Sequence, residues 1–135
     1  MLSSTNKLMN YFKDPIKEIE IIRKGINPEL IENFLNDQSF VVKDVLNRLK
    51  ITTSTYFAKK KDHKLLDSSS TEKFFRLISV VQNAQEILGS QEAKNWLYRK
   101  IPSLGDQVPM DLLDTETGHR LVEQALLQIK YGVYN

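Results

Sequence analysis

Helix punctuation recurs along this 135-residue chain and leaves little room for a sheet. Asp14-Pro15 and Asn27-Pro28 each set a capping side chain before a proline at the first helical position. The proline gives up an N–H that has no intrahelical partner there, and its fixed φ suits the first turn. From Pro15 a helix is expected to run to Gly25, a residue suited to the left-handed position that closes a helix. From Pro28 a second is expected to reach about Asp37, with Leu30, Ile31, Phe34 and Leu35 on one face. Ser39 is expected to cap the next helix, where Val42, Val45, Leu46 and Leu49 recur at helical spacing. Thr52 then caps a helix that carries Tyr56 and Phe57. The spacing Ser69…Glu72 is that of a capping box and opens a long helix with Phe74, Leu77, Ile78, Val81, Ala84 and Leu88 on its apolar face. Gly89 ends it, and Ser90 starts a helix through Trp96 and Leu97 that Pro102 breaks. Asp114 or Thr115 caps the last helix, which is expected to bury Leu121, Val122, Ala125, Leu126 and Ile129. No alternating β-branched run of strand length appears. The expected fold class is all-α, with seven or eight helices.

Composition excludes several kinds of chemistry. Hydrophobic residues make up 41% of the chain, enough for a core, and charged residues 27%. No apolar run approaches the roughly 18 residues that cross a bilayer. Met1–Lys13 lacks the pattern of a secretory leader. No membrane association is expected. Cysteine is absent, so disulfides, thiolate nucleophiles and cysteine metal sites are out, which is compatible with a reducing cytoplasm. His63 and His119 stand 56 residues apart, and no His-x-x-His pair occurs. The five glycines are scattered and form no phosphate loop. Asp67 with Glu72, and Asp111 with Asp114, sit at helix starts, where an acid meets the positive end of the dipole. His119, beside Arg120, reads as a surface residue. No catalytic residue, metal site or cofactor is expected, and the chain is not read as an enzyme.

Charge is unevenly placed. Residues 1–66 carry twelve Lys/Arg against eight Asp/Glu, and residues 67–135 seven against nine. The most polarised stretch is 43–64, with seven basic residues and two acids. Residues 39–61 have the proportions of a helix-turn-helix: a nine- or ten-residue helix, a turn at Lys50-Ile51, and a second helix from Thr52. In such a unit the second helix enters the major groove and its first residues reach base edges. Thr53 and Ser54 would stand there, with hydroxyls able to meet a base or a phosphate. Lys59, Lys60 and Lys61 would flank the DNA backbone, while Tyr56 faces the core and ties the second helix to the first. The same stretch also fits a structural hairpin with a solvated lysine face. Lys50 occupies the turn position where glycine would be easiest.

The last third carries the most specific pattern. It reads Trp96-Leu97, then Leu104-Gly105, then Pro109-x-x-Leu112-Leu113-x-Thr115-x-x-Gly118, and ends in Tyr131-Gly132-Val133-Tyr134-Asn135. Gly118, near the start of a helix, points either to the close approach of another backbone or to simple tolerance. Termini are usually polar, yet this one holds two tyrosines and a valine, residues that either fold back on the core or serve an interface. This order of motifs resembles the toxin-binding domain of the Xre/MbcA/ParS-type antitoxins, the partners of RES-domain toxins. Residues 16–77 resemble the Xre-type N-terminal region of the same antitoxins, through Arg23-Lys24-Gly25, Ile51, Ser54-Thr55 and Lys59-Lys60-Lys61. The family's usual arginines are lysines here, which favours phosphate contact over bidentate readout of guanine. The family's Leu-Gly-Gly is Leu104-Gly105-Asp106, and its Asn position is Ile101.

Residues 1–13 match nothing in that family and are expected to be mobile; the resemblance implies an Xre-like helical region 14–88 with the helix-turn-helix at about 39–61, and a toxin-binding domain 89–135 ending in a long helix. It implies an antitoxin that neutralises a RES-domain, NAD-consuming toxin. Lys130, Tyr131, Gly132, Val133, Tyr134 and Asn135, with Leu104 and Gly105, would contact the toxin, the terminal segment obstructing its active-site cleft. It also implies repression of its own operon through operator DNA, bound by Thr53, Ser54, Lys59, Lys60 and Lys61. The expected assemblies are a homodimer and a hetero-oligomer with the toxin. The alternative is a free-standing helix-turn-helix regulator whose C-terminal domain only dimerises.

Overall fold

The computed structural model describes Leu8 and residues 12–132. Among these the chain is all-α. The elements are α1 (Pro15–Lys24), α2 (Pro28–Asp37), α3 (Val42–Arg48), α4 (Thr53–Lys61), α5 (Ser68–Leu88), α6 (Ser90–Leu97), two 3-10 turns (Pro102–Leu104 and Pro109–Leu112) and α7 (Glu116–Lys130). One isolated antiparallel bridge joins Ile101 to Gln107. Most of the stretch 1–13, expected to be mobile, lies outside the described residues; within it Leu8 is buried. The chain divides into two compact units, Met1–Phe74 and Phe75–Asn135, and the division falls inside α5.

The proline starts form as their chemistry requires. Asp14 accepts hydrogen bonds from the Ile16 and Lys17 amides at 3.1 and 3.4 Å, and Asn27 from the Glu29 amide at 2.9 Å. Three other expectations need correction. Ser39 is not the N-cap of α3, a position held by Val41; it stands just past α2 with φ 61°. There the Phe40 N–H donates to the Leu35 carbonyl at 2.8 Å and the Ser39 N–H to Asn36 at 3.0 Å, a closed C-terminal motif. That ending uses up the residues before α3, which therefore starts only at Val42 and has seven residues. The capping box at Ser69…Glu72 is not formed either. Asp67 does that work, accepting from the Ser70 amide at 3.0 Å, so α5 begins two residues earlier than a Ser69 cap would start it, at Ser68. Thr52 does stand at the N-cap of α4, but its hydroxyl makes no capping hydrogen bond.

The unit Met1–Phe74 is built from α1 to α4 and the start of α5. Ile31, Phe34, Leu35, Val45, Leu46 and Leu49 are buried as their spacing requires. Lys50 ends α3 in the left-handed conformation, φ 58°, with the Ile51 N–H donating to the Leu46 carbonyl at 2.9 Å. A lysine there costs about 1–2 kcal/mol relative to glycine. Burial of Ile51, which the turn sends back into the core, offsets that cost. Tyr56 is buried as expected, and its hydroxyl donates to the Pro28 carbonyl at 3.3 Å, which ties α4 to the start of α2. Gly25 is required on steric grounds, because the Leu66 carbonyl oxygen occupies the place a Cβ would take. Next to it the buried Thr71 hydroxyl accepts from the Ile26 amide at 3.1 Å and donates to the Asp67 carbonyl at 2.8 Å. Helix α1 buries none of its residues completely; Ile16 and Ile19 are exposed.

The unit Phe75–Asn135 packs α6 and α7 on the two 3-10 turns. Trp96, Leu97, Ile101, Met110, Leu113, Val122, Ala125 and Leu126 form its core with the buried residues of α5. On that helix Phe75 and Val80 are buried in addition to Leu77, Ile78, Val81 and Ala84, so it is covered on more than one side. Leu121 is not buried as expected but 46% exposed, because the packed stripe of α7 runs through Gly118, Val122, Ala125 and Leu126. Gly118 resolves its two alternatives: a Cβ there would coincide with the Leu112 carbonyl oxygen. Replacing Gly118 with alanine is expected to destabilise the protein by about 1–3 kcal/mol, since backbone has to move. A thermal melt of the full chain measures this, and an unchanged midpoint would contradict the close approach.

Candidate functional site

Two surfaces hold the residues singled out from the sequence. On the first unit, α4 carries Thr53 and Ser54 in its first turn and Lys59, Lys60 and Lys61 in its last. Thr53 is half-buried, and Ser54 and Lys61 are exposed. Lys60 pairs with Glu32 at 2.7 Å, and Lys59 lies 3.7 Å from Asp67. The ordinary pull of burial would raise the Asp67 carboxyl, but hydrogen bonds from Ser70 and the charge of Lys59 hold it below the usual range. Surface pairs of this kind contribute little and exchange readily for another anion. The helix ends in the left-handed His63, φ 55°, with the Lys64 amide donating to the Lys59 carbonyl at 2.8 Å.

On the second unit, Lys130, Tyr131 and Gly132 follow one another at the end of α7. Tyr131 is 69% exposed, and the Lys130 ammonium stands 5.6 Å from its ring centre. Val133, Tyr134 and Asn135 lie outside the described residues. Leu104 closes the 3-10 turn Pro102–Leu104, which packs on α7, and Gly105 follows with φ 66°. Asp106 has φ 58°, and the Gln107 amide donates to the Leu104 carbonyl at 3.3 Å, closing a tight turn with two consecutive left-handed residues. Aspartate tolerates that conformation better than most residues, which is why Asp106 is acceptable here.

Several contributors were not singled out from the sequence. Arg76 donates to the carbonyls of Leu113 and Asp114 at 3.4 and 3.2 Å and so holds the entry to α7. A groove of about 530 Å³ lies between the second half of α5 and α7, lined by Asn83, Glu86, Ile87, Glu123, Leu126, Leu127, Ile129 and Lys130. Glu123 on its wall belongs to a polar cluster that extends along α7 beyond the groove, on the spacing Glu116-x-x-His119-x-x-x-Glu123. His119, expected on the surface, is only 20% exposed and lies 3.4 Å from Glu123 and 3.9 Å from Glu116. Glu123 also accepts from the Asn83 amide at 2.7 Å. Burial alone would raise the Glu123 carboxyl, but His119, Asn83 and Ser79 together hold it below the ordinary value. The signal was present as i, i+3 and i, i+4 spacing on one helix. No group of three His, Cys, Asp or Glu suited to a metal occurs among the described residues.

Comparison with known proteins bears on the stretch that carries this second surface. Residues 83–132 match the family model of the antitoxin Xre/MbcA/ParS C-terminal toxin-binding domain. This segment is therefore similar to the toxin-binding domains of such antitoxins. Along most of its length the chain is also similar to whole antitoxins. One is the Prs ADP-ribosylating antitoxin of a Sphingobium species, 25% identical over 92% of this chain and 84% of the relative. Antitoxin Xre of Photorhabdus laumondii is 23% identical over 84% of this chain and 78% of its own. Antitoxin Xre of Yersinia enterocolitica is 22% identical over 87% and 80%. These matches support an Xre/MbcA/ParS-type antitoxin, as the sequence motifs imply.

Because the folded-state carboxyl of Glu123 is depressed, its contribution to stability is present above the unfolded-state value, about 4.3, and lost as pH falls through the lower folded value. Glu123→Gln is expected to melt below the native chain at pH 6–7, with the gap closing as pH drops below about 4. Melting curves across that range check this; a gap that is constant with pH would exclude the charge as its source.

Proposed function

We propose that this chain is a non-enzymatic antitoxin that acts in the cytoplasm. It neutralises a RES-domain, NAD-consuming toxin through its C-terminal domain and represses its own operon by binding operator DNA. The observation that carries this reading is the match of residues 83–132 to a toxin-binding family, over a segment that includes the exposed Tyr131 just before its end. Tyr131, at 69% exposure, brings large contact area with few rotors to fix, the usual property of an interface anchor. Lys130, Tyr131 and Gly132, continuing into Val133, Tyr134 and Asn135, obstruct the toxin's cleft. Leu104 and Gly105 contribute a rigid turn to the same interface.

Operator binding is assigned to α3 and α4 acting as a helix-turn-helix. Thr53 and Ser54 face the bases, and Lys59, Lys60 and Lys61 face phosphates. Support comes from the lysine-rich end of α4 and from a turn at Lys50 that closes without glycine. The chain works as a homodimer and in a hetero-oligomer with the toxin; several copies on one operator would bind more tightly by avidity.

The C-terminal segment gives the sharpest test. Deleting Tyr131 to Asn135 is expected to abolish protection of cells expressing the toxin, while the melting midpoint of the chain stays within a few degrees. Full protection by the shortened chain would exclude obstruction by this segment.

A further inference from the structure

A cavity of about 230 Å³ opens on the first unit between the α3–α4 turn, α4 and the first turns of α5. Lys50, Lys59 and Lys73 line it, together with the hydroxyl residues Thr52, Thr55 and Ser70. The acid on its wall is Asp67, which is already engaged by the Ser70 amide at 3.0 Å and lies 3.7 Å from Lys59. Lys73 reaches across to the Lys50 carbonyl at 3.3 Å, which places its ammonium beside the turn. Three ammonium groups against one carboxylate leave the cavity with a net positive charge. Ammonium groups donate only, and the hydroxyls can turn a donor the same way, so the wall can offer several donors to one anion. A small, donor-rich, cationic cavity of this kind is complementary to a tetrahedral oxyanion.

We propose that the cavity seats one backbone phosphate of duplex DNA, with Lys50 and Lys73 as its charge partners and Thr52 and Thr55 donating hydroxyl hydrogen bonds. The inference rests on the reading of α3 and α4 as a DNA-binding pair. DNA is favoured as the source of the phosphate because the cavity is open and its wall includes Thr52. That residue directly precedes Thr53 and Ser54, the pair assigned to the bases. A phosphate held here would fix the register in which those two meet the groove. It would also give Lys50 a purpose at a turn position that glycine fills more easily.

The test uses the full chain and a fluorescein-labelled duplex of the DNA upstream of its own coding sequence, with binding followed by anisotropy at several KCl concentrations. Lys73→Gln is expected to weaken binding about tenfold and to lower the slope of log affinity against log salt by about one. Lys73→Arg should restore both. Because Lys73 also supports the turn, Thr55→Val provides an independent variant, expected to weaken binding a few-fold with the salt slope and melting midpoint unchanged. If the native chain binds and these variants keep its affinity and slope, the cavity is not a phosphate seat, while the DNA-binding reading survives. If the native chain binds no duplex, that reading fails with it. Amide shifts of Thr52 to Thr55 on titration with inorganic phosphate would then identify a free oxyanion as the occupant and overturn the assignment to DNA.

Discussion

The contact of Gly118 with the Leu112 carbonyl is the constraint on which the unit Phe75–Asn135 depends. It brings the first turn of α7 onto the 3-10 turn Pro109–Leu112 at a distance no side chain permits. Thr115 caps the same turn, accepting from the Gly118 amide at 2.9 Å, and Arg76 holds the two carbonyls just before it. Once that corner is fixed, the helical period alone decides which residues of α7 are buried and where its end emerges. Val122, Ala125 and Leu126 go inward, and Lys130 and Tyr131 leave the helix exposed. The motif Pro-x-x-Leu-Leu-x-Thr-x-x-Gly thus has a physical meaning: proline starts the turn, Leu113 anchors it in the core, threonine caps the helix and glycine admits the backbone.

The first unit uses the same device differently. Gly25 gives way to the Leu66 carbonyl, and Thr71 joins that crossing to the start of α5. Three helices in a row then end on a non-glycine left-handed residue, Ser39, Lys50 and His63. After the first two, a buried apolar residue follows, Phe40 or Ile51, so the local strain is offset by burial. The lysine-rich end of α4 is only partly neutralised, by Glu32 and Asp67, which keeps it available to a polyanion.

Much of this was legible in the sequence because it is local. Proline after Asp14 or Asn27, and the apolar spacing of α2, α3 and α5, give element boundaries within a residue or two. Local signals misled where a competing local interaction was stronger. Ser39 has the chemistry of an N-cap, but the ending of α2 claims it, and Asp67, a better acceptor, displaces Ser69 at the start of α5. Leu121 fits the helical stripe as well as Val122 does, and only packing against the 3-10 turns decides between them. The non-local features were not legible: the bond from Tyr56 to Pro28, the support by Arg76, and the lysine-lined cavity that needs Lys73 from a third element. For the candidate site, the sequence marks the exposed end of α7 and the resemblance marks its role, but neither reveals the groove beside it.

A protein complex is the most direct consequence of an antitoxin role. The full chain, tagged at its N-terminus, should be co-expressed with the protein encoded beside it and recovered on the tag. The account predicts a stable complex with a RES-domain protein that is toxic when expressed alone. Recovery of the chain by itself as a dimer, with no such partner, would contradict it.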